Sequence, residues 1–147
     1  MKINVRIKLT RGAECPVYAT EGSAAADLRA MTDGPYTLMP GERHSFPTGV
    51  AISSESSGCV AIIAGRSGLG IKHGITLSNG IGVVDSDYRG EIFVGLINNS
   101  DEPYTVEPGE RIGQLMFMPV FAADFIPCKE LDETGRGTGG FGSTGRS

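Results

Sequence analysis

The chain has 147 residues, of which 39% are hydrophobic and 20% are charged, a composition typical of one globular domain. Its net charge of −4 argues against general nucleic-acid binding, which needs clustered cations, but is compatible with binding of one nucleotide. No apolar run approaches the roughly 18 to 20 residues that cross a bilayer. The alternating N-terminus lacks the apolar stretch of a signal peptide, so the sequence predicts a cytoplasmic protein without a membrane partner.

The composition also limits the kinds of structure and metal site. The 22 glycines and 8 prolines favour many short strands joined by turns over long helices. The few cysteines and histidines are widely spaced and contain no CxxC pair, which argues against a disulfide framework and a His/Cys metal centre; they are Cys15, Cys59, Cys128, His44 and His73.

Apolar segments of strand length recur along the chain, with turn signals between them. The segments are residues 50–52, 60–63, 81–84, 92–97 and 115–120, and the turn signals are residues 33–35, 39–42 and 107–110. This spacing predicts an all-β sandwich or jelly roll. Residues 92–97 are apolar at odd and even positions, so that strand is either covered on both faces or lies at a subunit contact. No helical period lasts for more than about two turns.

Two further segments have a distinct composition. The sequence Pro-Gly-Glu-Arg occurs at residues 40–43 and 108–111, each time before an apolar strand, and turn chemistry alone explains both. From Arg136 the chain loses its apolar pattern, and Phe141 stands alone among glycines. One interpretation is a flexible tail. The other is an arm that closes over a phosphate-bearing ligand, since glycine amides, Ser143, Thr144 and Arg136 can all donate hydrogen bonds to phosphate.

Polar residues interrupt the strand pattern at several places. Asp27 lies in a segment of small residues, where a capped turn is the simpler interpretation. Arg66 and Ser67 lie between glycines directly after an apolar strand; this is compatible with a phosphate-binding loop, although the lysine and spacing of a Walker loop are missing. Gln114 lies within an otherwise apolar strand, where its amide needs a partner, and a structural hydrogen bond is the alternative to a ligand contact.

Residues 79–90 predict a β-hairpin. Main-chain groups near Asn79 are candidates for pairing with a base edge. Asp85 follows two valines, which predicts a partly buried carboxylate with the character of a base. Asp87 is equally well explained as a turn former.

Taken in order, these segments resemble the five motifs of the trimeric dUTPase family. Asp27 and Leu28 fall in motif one; residues 66–70, 82–90, 109–115 and 136–145 fall in motifs two to five. The resemblance extends from about Gly22 to Gly145, and five motifs in order at the expected spacing are highly specific.

The resemblance implies a jelly-roll-like β-barrel in residues 1–134, assembled as a homotrimer. A flexible glycine-rich arm, residues 135–147, would close the active site of a neighbouring subunit. The implied reaction is hydrolysis of dUTP to dUMP and pyrophosphate, which keeps uracil out of DNA and supplies dUMP for thymidylate synthesis. Mg²⁺ would bridge the phosphates, and Asp27 would act near the metal through water.

The resemblance also assigns roles to residues. Asp85 would be the general base that activates water for in-line attack on the α-phosphorus. Tyr88 would exclude a 2′-hydroxyl, and Phe141 would stack on uracil. The full set assigned to substrate binding is Arg66, Ser67, Gly68, Asn79, Gly82, Val83, Val84, Tyr88, Phe93, Gln114, Arg136, Phe141, Gly142, Ser143 and Thr144.

The chain departs from the family pattern at two positions, and three functions other than dUTP hydrolysis are considered. Ala25 stands where motif one usually has glycine, and Gly65 where motif two usually has proline; neither removes a chemical group. A dCTP deaminase would carry a catalytic glutamate on the strand at residues 92–97, which has none. A trimer that binds nucleotide to regulate a protein partner, and a jelly roll without a ligand, are the other two.

Overall fold

The computed structural model describes residues 2–55 and 58–140. These residues form eleven short β-strands and one short helix. The strands are β1 (Val5–Leu9), β2 (Ala26–Arg29), β3 (Tyr36–Leu38), β4 (Arg43–Pro47), β5 (Val50–Ser54), β6 (Cys59–Ala64), β7 (Ile75–Leu77), β8 (Gly82–Val84), β9 (Phe93–Asn98), β10 (Tyr104–Val106) and β11 (Arg111–Pro119). The helix, α1, spans Ser67–His73 between β6 and β7.

The strands form four small sheets in a jelly-roll-like arrangement. Their strand orders are β1-β5, β3-β10, β2-β11-β6-β8 and β4-β9-β7, and every pairing between these strands is antiparallel. Neighbours in a sheet are often far apart in the sequence, as β2 and β11 are. The all-β, jelly-roll-like prediction is therefore confirmed.

One hydrophobic core lies between the sheets. Inward and outward residues alternate along the strands, as the two-residue period of a strand requires; Val94 and Leu96 of β9 are buried, for example. Phe46, Leu38 and Ile112 are completely enclosed. Burying each side chain of this size contributes about 1.5–3 kcal/mol, so this core is the main source of stability.

A buried asparagine joins three segments at one end of the core. The Asn98 side-chain amide donates to the carbonyl oxygens of Leu38 and Glu102 at 3.0 and 2.8 Å, and its Oδ1 accepts the Ser100 amide at 2.9 Å. Because an unpaired buried amide costs free energy, these bonds fix the loop that leads from β9 to β10.

The predicted strand segments are confirmed, but the loop predicted after residue 66 is a helix. The glycines in this segment give it low helix propensity, so packing of Leu69, which is 5% exposed, stabilises it. The helix ends at Gly74 in the left-handed conformation, with φ of 68°. A side chain there would meet the Ser100 backbone nitrogen at 2.9 Å, which excludes residues other than glycine.

Two sequence predictions need correction. The hairpin predicted at residues 79–90 is wrong, because the one strand of this segment, β8, pairs with β6 and not within the segment. Residues 92–97 are not covered on both faces within the chain: Phe93 is 47% exposed, and Gly95 and Ile97 are partly exposed. A subunit contact on that face stays a prediction.

After β11 the described chain has no further strand. Residues 120–138 are exposed, including large apolar side chains such as Phe121, Phe125 and Leu131. The division at residue 134 between barrel and arm stays a prediction. Within residues 2–55 and 58–140, no helix has the length and apolar character to span a membrane.

Candidate active site

Three of the motif segments meet at one end of the sheet β2-β11-β6-β8. Gln114 on β11 lies opposite Asp27 on β2 and opposite Ala64 on β6. Side chains in one row of neighbouring strands point to the same face, so Asp27 and Gln114 share a surface. The chain continues from Ala64 through Gly65 to Arg66 and Ser67. The sheet therefore brings together residues that the sequence places in motifs one, two and four.

Asp27 lies between two arginines. Its Oδ1 is 3.2 Å from Arg66 Nε, and its Oδ2 accepts a hydrogen bond from Arg111 Nη1 at 3.1 Å. Arg66 Nη1 also donates to the Arg111 carbonyl oxygen at 3.1 Å. The carboxylate is 13% exposed and the two guanidinium groups 24% and 45%, so this cluster is half-buried and carries a net positive charge.

The Asp27 carboxylate is not a ready metal ligand. Oδ1 is buried and in ion-pair range of Arg66, but the Arg66 N–H does not point at it, so this oxygen makes no hydrogen bond. The other oxygen is held by Arg111. Within the described part of the chain no three His, Cys, Asp or Glu side chains form a group that could hold a metal. As they stand, these residues do not fit a direct magnesium site, and the expected contact of Asp27 with a metal through water stays a prediction.

Arg66 and Ser67 stand at the start of helix α1. Arg66 is extended, with φ of −91° and ψ of 129°, and its side chain reaches back to Asp27. Ser67 and Gly68 are exposed beside it, and a Cβ atom added at Gly68 would have no neighbouring atom within 4 Å. An anion near the Arg66 guanidinium can therefore approach the Ser67 hydroxyl and the Gly68 backbone without steric hindrance.

Residues 82–84, in motif three, form β8 on the other side of β6. Gly82 lies against Ile63, where an added Cβ would be 2.9 Å from the Ile63 Cβ. Val84 is buried and Val83 is 59% exposed. Asn79 lies in the exposed turn before this strand, which the left-handed Gly80 (φ of 74°) helps to form.

Asp85 and Tyr88 form a turn after β8. The Tyr88 amide donates to the Asp85 carbonyl oxygen at 3.1 Å, and the Tyr88 hydroxyl donates to the Glu91 carbonyl oxygen at 3.0 Å. Asp85 is exposed, so the prediction that it is partly buried is wrong for the single chain. The reason is the strand period: Val83 points out, Val84 points in and Asp85 points out again.

The motif-three turn and the arginine cluster lie at opposite ends of β6. Val84 pairs with Ala61, whereas Asp27 and Gln114 align with Ala64. Three residues along a strand span ~10 Å, and Asp85 and Arg66 extend in opposite directions beyond these positions. One chain therefore presents the candidate base and the candidate phosphate-binding residues as two separate surfaces.

The comparisons with known proteins identify the family. The family model for dUTPase matches residues 11–145. The chain belongs to the dUTPase family. The deoxyuridine 5′-triphosphate nucleotidohydrolase of Desulfitobacterium hafniense strain Y51 is 49% identical over 141 residues, which cover 96% of this chain and 93% of the relative. That of Aeromonas hydrophila is 51% identical over 131 residues, covering 89% and 86%.

Solved dUTPase structures have the same fold. The dUTPase of Staphylococcus bacteriophage 80alpha, solved with dUpNHpp, superposes with a TM-score of 0.87 at 24% identity, covering 97% of this chain and 99% of that one. A variant dUTPase of phage phi11 of S. aureus, whose structure concerns coordination of a structural Mg(II) ion, superposes with a TM-score of 0.78 at 19% identity, covering 88% and 99%.

Of the remaining residues expected in a dUTPase site, the structure describes Phe93 and Arg136. Phe93 lies on β9, in the sheet β4-β9-β7. Arg136 is exposed and its Nε donates to the Gly139 carbonyl oxygen at 2.8 Å within a local turn. Phe141, Gly142, Ser143 and Thr144 lie outside the described residues, so their assigned roles stay predictions.

Sequence reasoning missed two features of this dUTPase chain. Arg111 was assigned no role, although it holds Asp27. A cleft of about 250 Å³ lies between the loop at residues 13–17 and β2, and Asp27 and Arg111 are among the residues that line it. The repeated Pro-Gly-Glu-Arg turn before β11 was the sequence feature that could have drawn attention to Arg111. Nothing in the sequence of the loop pointed to the cleft.

Proposed function

We propose that this chain hydrolyses dUTP to dUMP and pyrophosphate. The observation that carries the proposal is the arginine cluster: Asp27 compensates only one of two adjacent cations, Arg66 and Arg111. The surplus positive charge lies beside the Ser67 hydroxyl and the Gln114 amide, which suits a chain of phosphate groups. The curated dUTP nucleotidohydrolases that are about half identical to this chain support the same reaction.

Phosphate binding is assigned to the arginine-cluster surface. The Arg66 guanidinium, the Ser67 hydroxyl, the Gly68 amide and the Gln114 side chain would donate to phosphate oxygens. In phosphoryl transfer most of the catalysis comes from positioning and from neutralising charge on the transferred group. Asp27 serves this role indirectly by fixing the direction of the Arg66 side chain.

Base recognition and water activation are assigned to the motif-three surface. Asn79, Gly82, Val83 and Val84 would offer main-chain groups to uracil, and Tyr88 would lie against the deoxyribose. Asp85 would take a proton from the water that attacks the α-phosphorus in line, and the bond from that phosphorus to the bridging oxygen of pyrophosphate would break. Its exposure in the single chain leaves the carboxylate accessible to such a water.

The separation of the two surfaces supports a homotrimer with shared sites. Because they lie at opposite ends of β6, the candidate base of one chain would meet the phosphate-binding residues of a neighbouring chain. The exposed face of β9, with Phe93, and the exposed apolar residues after β11 support burial against other subunits. The arm from Arg136 onward would close the site, with Phe141 on uracil and the Ser143 and Thr144 hydroxyls on phosphate.

Magnesium would enter with the substrate. Mg²⁺ prefers phosphate oxygens and water and is often bound mainly by a nucleotide rather than by the protein. Asp27, whose oxygens face arginines, is left an outer, water-mediated role at most. The ion would supply charge neutralisation on the triphosphate, and the protein residues would orient the complex.

The test is pyrophosphate release by the purified protein with magnesium, comparing dUTP, dTTP, dCTP and UTP at equal concentrations. Strong preference for dUTP is expected, because both the 5-methyl group of thymine and a 2′-hydroxyl are excluded. The Asp85→Asn variant is the matched control for contaminating phosphatases. Equal release from all four nucleotides, or no release from dUTP above the level of the variant, would contradict the proposal.

A further inference from the structure

Two turns of this chain repeat one sequence and one structure. Residues 36–43 read Tyr-Thr-Leu-Met-Pro-Gly-Glu-Arg and residues 104–111 read Tyr-Thr-Val-Glu-Pro-Gly-Glu-Arg, identical at six of eight positions. Their strands, β3 and β10, pair antiparallel, and the hydroxyls of Thr37 and Thr105 bond each other at 2.8 Å at the centre of the pair. The repeat therefore has a local two-fold arrangement.

Each turn is closed by a bond from tyrosine to glutamate. The Tyr36 hydroxyl donates to Glu42 at 2.6 Å, and the Tyr104 hydroxyl donates to Glu110 at 2.5 Å. The second glutamate oxygen accepts a backbone amide of the turn, at 2.8 Å in the first case and 3.0 Å in the second. We name the first pair the distal clasp and the pair Tyr104–Glu110 the site clasp.

The two clasps differ in what they touch. The turn of the distal clasp bonds the backbone of Asn98, at the far end of β9 from Phe93. The Tyr36 ring stacks on His44 of β4 at 3.8 Å.

The site clasp contacts three elements of the arginine-cluster surface. The Glu110 carbonyl oxygen accepts a hydrogen bond from the Ala30 amide at 2.8 Å. Ala30 directly follows β2, the strand that carries Asp27. Glu110 is also followed directly by Arg111. The Tyr104 ring lies 4.9 Å from the ring of His73, the last residue of the helix that begins after Arg66.

We propose that Tyr104 is a positioning residue for the triphosphate site: through Glu110 and His73 it fixes Arg111 and Arg66 relative to each other. This inference rests on the proposed function. Without the clasp, the turn before β11 and the start of helix α1 are still joined by the Asp27 ion pairs and by the hydrogen bond from Arg66 Nη1 to the Arg111 carbonyl oxygen. The last residue of the helix, His73, loses its contact with the turn, and the phosphate-binding groups are then less firmly spaced. Since misplacement of binding groups by a fraction of an ångström lowers affinity and rate, the effect is expected on the triphosphate.

The hydroxyl of Tyr104 is a hydrogen-bond donor throughout the usual assay range. Its burial and its bond to Glu110 raise the pKa of Tyr104 well above the ordinary value. The distal clasp behaves in the same way, since its bond to Glu42 raises the pKa of Tyr36. The two tyrosines therefore donate equivalent hydrogen bonds to a glutamate, and they differ in burial and in location.

This equivalence supplies a matched control. Tyr104→Phe and Tyr36→Phe each remove one hydroxyl from the same motif, and Glu110→Gln and Glu42→Gln form a second, milder pair. For each variant three quantities are measured: the melting temperature, kcat/KM for dUTP, and the dissociation constants of dUpNHpp and dUMP. The dUMP measurement separates triphosphate contacts from nucleoside contacts.

Both tyrosine variants are expected to lose a similar amount of melting temperature. Only Tyr104→Phe should weaken dUpNHpp binding and lower kcat/KM, by roughly 10- to 20-fold, the lower end of the range for one charge-assisted hydrogen bond, with dUMP affinity within about twofold of wild type. If Tyr104→Phe does not fold, the same three measurements are compared between Glu110→Gln and Glu42→Gln, and only Glu110→Gln should weaken dUpNHpp binding.

Two results would overturn the proposal. Equal activity losses in the two clasps, or an unchanged dUpNHpp affinity in Tyr104→Phe, would leave the site clasp a structural feature only. Wild-type protein that neither hydrolyses dUTP nor binds dUpNHpp would contradict the proposed function and the positioning role with it. Active wild type with equal losses would contradict the positioning role alone.

Discussion

Replacing Asp27 by asparagine removes the negative charge between Arg66 and Arg111 while keeping the size of the side chain. In the wild type the carboxylate oxygens lie 3.2 and 3.1 Å from nitrogens of Arg66 and Arg111. In the variant no negative charge offsets the repulsion between the two guanidinium groups. Removing one partner of a fully buried pair costs about 3–5 kcal/mol. Because Arg66 and Arg111 are 24% and 45% exposed, solvent screens part of this, and we expect about 2 kcal/mol.

The assay is urea and thermal unfolding at one fixed protein concentration, since an oligomer's stability depends on concentration. For a chain of this length about 2 kcal/mol corresponds to a fall in Tm of roughly 4–8 °C. The matched control is Glu55→Gln, which breaks the exposed Arg6–Glu55 pair, 3.4 Å apart with 79% and 50% exposure. That change should cost less than about 0.5 kcal/mol and vanish in high salt.

A double-mutant cycle with Arg111→Met then measures the coupling itself. We expect a coupling free energy of at least about 1 kcal/mol between Asp27 and Arg111, because the two side chains are in direct contact. Asp27→Asn within about 0.5 kcal/mol of wild type, or additive effects in the cycle, would refute the view that this carboxylate organises the cluster.

Three further outcomes are expected. Asp85→Asn should retain dUpNHpp binding while losing at least about 100-fold in turnover, measured by calorimetry and pyrophosphate release; near-normal turnover would remove Asp85 from the role of base. Truncation before Arg136 should leave the oligomer intact by light scattering but reduce hydrolysis strongly, and an unaffected rate would demote the arm to a tail. Gly82→Ala should cost about 1–3 kcal/mol, because its Cβ would lie 2.9 Å from the Ile63 Cβ, whereas Gly22→Ala, with open space, should cost almost nothing; equal unfolding free energies would contradict this packing.

The sequence was informative wherever a polar residue interrupted an apolar pattern. Gln114 stands inside a strand, and Asp27 stands among small residues, and both lie on the shared surface of one sheet. The Asp27–Arg111 pair could not be predicted, because it joins residues 84 positions apart and depends on the register of β2 with β11. The register of a long-range strand pair is set by packing of the whole core and not by local sequence.

The incorrect predictions have local physical causes. Residues 79–90 contain one strand of three residues, β8, which is too short for an independent two-stranded ladder, so pairing with the longer β6 prevails. Helix α1 was missed because its glycines lower helix propensity and only Leu69 anchors it. The exposure of Asp85, by contrast, follows from the strand period and was predictable from Val83 and Val84.

The central claim is that dUTP is hydrolysed at a site completed by two chains. Mixing Asp85→Asn chains with Arg66→Met chains, by unfolding and refolding together in equal amounts, tests it directly. Each variant alone should release almost no pyrophosphate from dUTP. In random trimers a site needs an intact Asp85 from one chain and an intact Arg66 from its neighbour, so the mixture should recover about one quarter of wild-type activity. A mixture as inactive as its components would show that each site lies within one chain and would contradict the shared site.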